Sequence, residues 1–412
     1  MKCIIDNQVV LSRTPEGPLV TQVGPFARSL REQGYTLSSI RRQVLLAAGF
    51  SRWLKQQGVA CRSITSDHPP RYLRSRARQV RPGRGDAAAL RHLLAFLRGK
   101  GVMRAEKTPA RRLPPAERCV QAYEKYLRDA RGLATVTILN YVPFIRRFLQ
   151  DRFGDGPVTL AHLGARDVGR FVQRQARQLH LRRAKLLTTA LRSFLRYARY
   201  CGGTQRDLAA AVPVVANWSM ASIPRAIAAD QVRQLLASID RRTAIGRRDY
   251  AIVLLLARLG VRSGEVVQLE LEDIDWTAGQ LSVRGKRGRR SELPLSKEVG
   301  AAIAAYLRRG RPVSPSRRVF LRAKAPIRGF QGPCGVGSVV RHALQRAGIQ
   351  APTTGAHQFR HGLATELLRH GASLSEIGEV LGHRHPQTTL LYTKVDLQAL
   401  RTLAVPWPGG GR

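Results

Sequence analysis

An excess of positive charge constrains this chain more than any other feature: 70 Lys and Arg stand against 27 Asp and Glu, a formal net charge of +43 at pH 7. A compact fold has to hold that charge against its own repulsion, so a polyanionic partner is expected. The 412 residues are 43% hydrophobic, enough for two or three domains with real cores, which excludes a disordered basic tail. The excess is almost all arginine, 60 Arg to 10 Lys, and it runs through every segment. Lipid-binding segments are instead short basic clusters beside an apolar anchor, so nucleic acid is favoured over a membrane. Affinity of this kind is driven by phosphate and falls steeply with salt. The longest strongly apolar run, Ala251 to Ala257, stops at Arg258, far short of the ~20 residues needed to span a bilayer. Near the amino terminus, Asp6 and Asn7 interrupt any signal-peptide core, and a cytoplasmic, nucleoid-associated protein is expected. Cys3, Cys61, Cys119, Cys201 and Cys334 form no Cys-x-x-Cys pair. Neither a zinc site nor a disulfide framework is suggested, and the thiols are expected to be reduced and buried.

Two stretches resemble one another. Phe26-Ala27-Arg28-Ser29-Leu30 leads to Gly34-Tyr35-Thr36-Leu37 and on to Phe50, and Tyr123-Glu124-Lys125-Tyr126-Leu127 leads to Gly132-Leu133-Ala134-Thr135 and on to Phe148. Each opens as a helix, breaks at glycine, and restarts near Ser or Thr at a plausible N-cap. The pattern predicts two small all-helical domains in tandem, over 1–108 and 115–205, followed by a Pro-rich linker over 206–226. A third domain over 227–412 has a different texture. Asp230 is the expected N-cap of a helix over 230–239, and a buried helix over 247–259 ends at Gly260. Residues 280–283 and 291–295 alternate in strand fashion around Gly285-Lys286-Arg287-Gly288, which predicts a β-hairpin with a basic tip. Helices follow over 299–308, 337–347, 357–370, 374–381 and 396–403. The expected class is mainly α with a small antiparallel β-sheet.

Six of the ten histidines lie between His342 and His385. His357 and Arg360 are three apart, on one face of a predicted helix. His383 follows His361 by 22 residues, and Tyr392 lies nine further on. Upstream, Arg262 stands just after Gly260 in a strongly apolar stretch, where a cation needs an anionic partner; Glu265 is the nearest. These residue types suit phosphodiester transfer. Two arginines, planar and always charged, suit the non-bridging oxygens of a phosphorane-like transition state. A tyrosine hydroxyl is a fair nucleophile and leaving group that conserves the bond energy as an ester. The departing sugar oxygen needs a proton, which lysine can be tuned to release and arginine cannot, so Lys286 is favoured over its neighbour Arg287. His357 and His383 suit phosphate positioning and proton movement.

Taken together, Arg262, Lys286, His357-x-x-Arg360, Leu381-Gly382-His383 and Tyr392 stand in the order and spacing of the tyrosine recombinases, the phage-integrase group, which the chain resembles over about 130 residues. The resemblance implies tandem SAM-like helical DNA-binding domains followed by a tyrosine-recombinase catalytic domain. It implies that Tyr392 attacks a DNA phosphate to form a 3′-phosphotyrosyl link, that a 5′-hydroxyl leaves, and that the 5′-hydroxyl of another strand reverses the step. No metal and no other cofactor is implied. The implied assembly is a homotetramer on two paired double-stranded DNA sites, with or without other recombinases, and the implied roles include mobile-element integration, excision and transposition. Glu265 matches an acidic position of the family and is expected to orient Arg262; His361 is a supporting residue and His385 a surface one. Residues 119–203 resemble the core-binding domain of the family, residues 1–108 a further arm- or clamp-type domain, and the tail over 396–403 a segment that docks on a neighbouring protomer. The rivals are a type IB topoisomerase, which shares this chemistry, and a DNA-binding protein that has lost its catalysis. A metal-dependent nuclease is disfavoured because the histidine-rich segment over 357–385 holds only Glu366, Glu376 and Glu379, with no aspartate.

Overall fold

Helices dominate the chain, and their order repeats. The computed structural model describes residues 3–5, 9–11, 14–103, 113–215, 226–285, 290–351, 353–383 and 385–395. After a short antiparallel pair, β1 (Cys3–Ile5) and β2 (Val9–Leu11), come α1 (Val20–Glu32), α2 (Leu37–Gln56), α3 (His68–Ala77) and α4 (Asp86–Gly99). The same four-helix order returns as α5 (Pro115–Asp129), α6 (Thr135–Phe153), α7 (Ala165–Ala176) and α8 (Leu181–Tyr200). In both, a 3-10 turn stands between the second and third helices, Cys61–Ser63 and Leu160–His162. Ile40, Val44 and Phe50 of α2 are buried, and so are Ile138, Val142 and Phe148 of α6, at identical helical spacing. Leu90 and Leu94 of α4 likewise match Leu191 and Leu195 of α8. The helix starts differ. Thr36 caps α2 by accepting from the Ser39 N–H at 3.4 Å, whereas α6 begins after Ala134, whose side chain cannot accept.

The chain divides into two compact units, one of Glu106–Ser219 and one that joins Met1–Ala105 to Met220–Arg412. In the latter the Ile327 N–H donates to the Gln33 carbonyl at 2.9 Å. Its larger part runs α9 (Ala229–Ala237), α10 (Ala244–Arg258), α11 (Ser263–Gln268), then strands β3 (Ile274–Asp275), β4 (Gln280–Arg284) and β5 (Arg290–Pro294). Then follow α12 (Lys297–Arg309), α13 (Pro333–Arg346), α14 (His357–Arg369), α15 (Leu374–Val380), α16 (Pro386–Thr389) and a 3-10 segment, Leu390–Val395. Helix α10 is the centre of this part: every residue from Ala251 to Leu256 is buried, and the helix packs on α12, α13 and α14. The sheet has the order β3-β4-β5, all antiparallel, with Leu281 opposite both Ile274 and Leu293. Arg284, at the end of β4, donates to Glu270 at 2.7 Å and to the buried Asp273 at 3.0 Å, which anchors the root of the hairpin.

The class is mainly α with a small antiparallel sheet, as the sequence predicts. Three details differ. Ala228, not Asp230, is the N-cap of α9; Asp230 lies in the first turn, where its carboxylate still opposes the positive end of the helix dipole. The third strand, β3, has only two residues and shows no alternation in the sequence. The thiols of Cys61 and Cys119 are half-buried and those of Cys201 and Cys334 exposed, so these four cysteines form no disulfide but are not fully buried. Lys286, Arg287 and the tail over 396–403 lie outside the described residues. No described helix is long and apolar enough to cross a membrane.

Candidate active site

The site grows from two helix ends. Helix α10 stops because Gly260 turns left-handed at φ +59°, and a side chain there would also collide, since a Cβ would lie 2.8 Å from Leu381 Cδ2 and 3.0 Å from Leu363 Cδ2. Two residues on, Arg262 caps α11. The buried Glu265 carboxylate accepts from the Arg262 backbone N–H at 2.7 Å and from its Nη1 at 2.8 Å, so one acid both caps the helix and aims the guanidinium. Nη2 of Arg262 reaches toward the Gly382 carbonyl at 3.4 Å. The second end is that of α15. There Gly382 is left-handed at φ +57°, its N–H donates to the Glu379 carbonyl at 2.9 Å, and the His383 N–H donates to the Gly378 carbonyl at 2.8 Å. Leu381-Gly382-His383 is thus a Schellman motif that turns His383 back over the helix.

Helix α14 carries three residues into this space. His357 is exposed in the first turn, and its ring stands 5.9 Å from that of His361. Arg360 is buried. Its Nη1 donates to the Gly260 carbonyl at 2.7 Å and its Nη2 to the Leu381 carbonyl, so one guanidinium ties α14 to the ends of α10 and α15. Burial, and then the nearby Arg262, push the Arg360 pKa down to about 10, which leaves it charged at neutral pH. Tyr392, in the 3-10 segment, is only 2% exposed and packs with Ala364, Ile377 and Leu381. Its Oη lies 3.0 Å from His361 Nδ1, and its ring is nearly parallel to that of His383. Burial raises the Tyr392 pKa, against the pull of Arg360 and Arg262. Five of the six residues expected to be catalytic, and both supporting ones, therefore converge, while the hairpin cation lies outside the described residues.

Residues 225–399 match the model of the phage integrase family, and residues 120–201 that of the phage integrase N-terminal SAM-like domain. The chain is 61% identical over 410 residues to the "Putative integrase/recombinase y4rA" of Sinorhizobium fredii, covering 99% of both chains. It belongs to the phage integrase family of tyrosine recombinases. A similarity of 32% to the tyrosine recombinase XerD of Mycobacterium tuberculosis covers 70% of this chain and 96% of that one. Among solved structures, XerH site-specific recombinase bound to palindromic difH substrate aligns at a TM-score of 0.56 with 21% identity, over 70% of this chain and 84% of that one. A lambda integrase dimer bound to a COC' core site aligns at 0.53 with 17% identity, over 67% and 94%. At these identities the structural likenesses establish a shared fold.

In the recombinase, three contributors to the site leave little or no mark in the sequence. Thr389, 2% exposed, shares a hydrogen bond with His383 Nδ1 at 2.8 Å; its trace is a threonine pair just before the tyrosine segment. The other two are main-chain carbonyls, of Gly260 and Leu381, which no side-chain motif records. His385 is exposed, as expected.

The histidine at 383 also sets a pH limit. Burial, and then Arg360 and Arg262, push its pKa from 6.5 down to about 4. Between those values the unfolded chain binds a proton that the folded chain refuses, so this contribution to stability is complete above pH 6.5 and lost as pH falls toward 4. Thermal melts of the recombinase between pH 7.5 and 4.5 are expected to fall more steeply than those of a His383→Gln variant. Equal acid slopes would show that His383 does not set the limit.

Proposed function

We propose that this recombinase is a site-specific DNA strand transferase that cuts and rejoins double-stranded DNA through a 3′-phosphotyrosyl bond to Tyr392, in the service of mobile-element integration, excision or transposition. The observation that carries the reading is the convergence of two guanidiniums, Arg262 and Arg360, with the buried Tyr392 hydroxyl and two imidazoles held neutral by their surroundings. Arg262 and Arg360 stabilise the charge that builds on the non-bridging oxygens. Tyr392 Oη forms the new bond to phosphorus, the P–O5′ bond breaks, and O5′ takes a proton from Lys286. His357, exposed at the start of α14, and His383 line the phosphate. Rejoining runs the same steps backward from a 5′-hydroxyl. The charge that the reaction needs is supplied by side chains, so the chemistry proceeds in EDTA. Solved relatives of this fold include a lambda integrase tetramer bound to a Holliday junction, and a homotetramer on paired sites is proposed here too.

The test is to mix the protein with nicked duplexes carrying the ends of the surrounding genetic element, with EDTA present, and to run the products in SDS. A covalent protein–DNA band whose proteolysed adduct maps to the peptide containing Tyr392 is expected. Salt-sensitive binding of that DNA without any band would point instead to a DNA-binding protein without chemistry. A second outcome concerns Glu265. Its hydrogen bond to the Arg262 guanidinium is worth about 1.5–3 kcal/mol, and about 1.4 kcal/mol is tenfold in rate. Glu265→Gln, which keeps the shape and loses the charge, is expected to slow adduct formation by roughly 10- to 100-fold with DNA affinity little changed. An unchanged rate would mean that Arg262 is aimed by other contacts.

A further inference from the structure

The hydrogen bond between His361 and Tyr392 has a direction that its surroundings decide. Titratable and charged groups surround the pair: His357 and Arg360 act on the His361 imidazole from its own helix, Arg262 acts on Tyr392 from the start of α11, and His383, in the turn after α15, stacks beside the Tyr392 ring. Burial, followed by His357 and Arg360, holds its pKa below the usual 6.5, so the ring is neutral at physiological pH. A buried phenol must donate its O–H somewhere, and among the described residues His361 Nδ1 is the one hydrogen-bond partner of Tyr392 Oη. The tyrosine therefore donates, Nδ1 accepts, and the imidazole proton sits on Nε2. His357, the other histidine of this helix, is exposed and is one ring further from the hydroxyl.

On the reading that Tyr392 is the nucleophile, we infer that His361 is the base that takes the phenolic proton during attack and the acid that returns it during rejoining. As the Oη–P bond forms, the Oη–H proton passes to Nδ1 and gives an imidazolium; the P–O5′ bond breaks and O5′ is protonated by Lys286. In the reverse step an incoming 5′-hydroxyl gives its proton to the now neutral Lys286, the Oη–P bond breaks, and the imidazolium protonates the departing tyrosine oxygen. Atoms and charge balance in both directions. Burial and the Arg360 guanidinium beside it make the His361 imidazolium a ready proton donor, which favours the return.

His361→Asn separates this role from packing, because the Asn Oδ1 falls near the position of Nδ1 and accepts the phenolic hydrogen bond but takes up no proton. Single-turnover adduct formation at pH 7 is expected to slow by roughly 10²- to 10³-fold, within the span of general-base effects. Its rate is expected to climb about tenfold per pH unit toward the ionisation of the phenol, while the parent levels off above the pKa of the imidazole. A fluorinated, more acidic tyrosine at position 392 recovers part of the loss in the variant. Three results overturn the inference: a parent-like rate and pH profile, faster cleavage, or a constant deficit at every pH that fluorotyrosine does not relieve. If the variant fails to fold, the parent protein with fluorotyrosine carries the test. Its profile keeps its break at the same pH when His361 is the base, and a break that follows the phenol overturns it. Absence of any Tyr392 adduct in the parent protein is a different failure, that of the nucleophile assignment, and takes the base with it.

Discussion

Tyr392→Phe is expected to bind DNA as the parent protein does and to form no covalent adduct, a loss on the order of 10⁶ if the nucleophile contributes here as nucleophiles do in other covalent enzymes. The substitution is conservative where the fold is concerned. The ring remains among Ala364, Ile377 and Leu381, beside the near-parallel ring of His383. What disappears is one hydroxyl and its hydrogen bond to His361, worth about 1 kcal/mol of stability. Mobility-shift titration and SDS gels on one nicked duplex measure both halves of the expectation. An adduct formed by the Phe variant would move the nucleophile to another residue, and weak DNA binding by it would show that the hydroxyl has a structural task.

Arg360→Leu is expected to damage fold and chemistry together. The guanidinium satisfies the Gly260 and Leu381 carbonyls in a buried setting, and an acceptor stripped of its partner costs about 1–3 kcal/mol. Two such losses amount to roughly 2–6 kcal/mol, and in a domain of this size each kcal/mol lowers the melting temperature by about 2–4 °C. The variant should melt roughly 4–24 °C lower and give no detectable adduct. Arg360→Lys sharpens the result. An ammonium retains the charge but is a single point, unable to reach both carbonyls and a phosphate at once. It should recover part of the melting temperature and little of the adduct. A Leu variant that melts like the parent would mean that the carbonyls find other donors.

Sequence and structure agree best where a residue type does something its neighbours cannot. Gly260 is required both by its left-handed backbone and by the side chains of Leu381 and Leu363 pressed against it. Leu381-Gly382-His383 is legible because a Schellman turn needs a glycine, and the histidine follows it by geometry. Helix α10 announces itself as an apolar run because it is buried on every side. Conversely, the ligands of Arg360 are main-chain oxygens, and the backbone leaves no signature in residue identity. Thr389 was invisible because its value to His383 depends on a fold between residues six apart. Strand β3 is too short to alternate, and Asp230 looked like a cap because acids favour both the cap and the first turn. The repeated order of four helices has a trace in apolar spacing, since Ile40, Val44 and Phe50 recur as Ile138, Val142 and Phe148.

The way Arg360 is held makes the site mechanically sensitive. Its two carbonyl ligands belong to the ends of different helices, α10 in the middle of the core and α15 just ahead of the tyrosine segment. Sliding α15 along its axis by one residue, about 1.5 Å, would displace the Leu381 oxygen and pull on the guanidinium that it holds. A displacement of α15 is therefore registered at the arginine, and a load on the arginine is registered at the turn that leads to Tyr392. The joint behaves as a strain gauge shared by three helices.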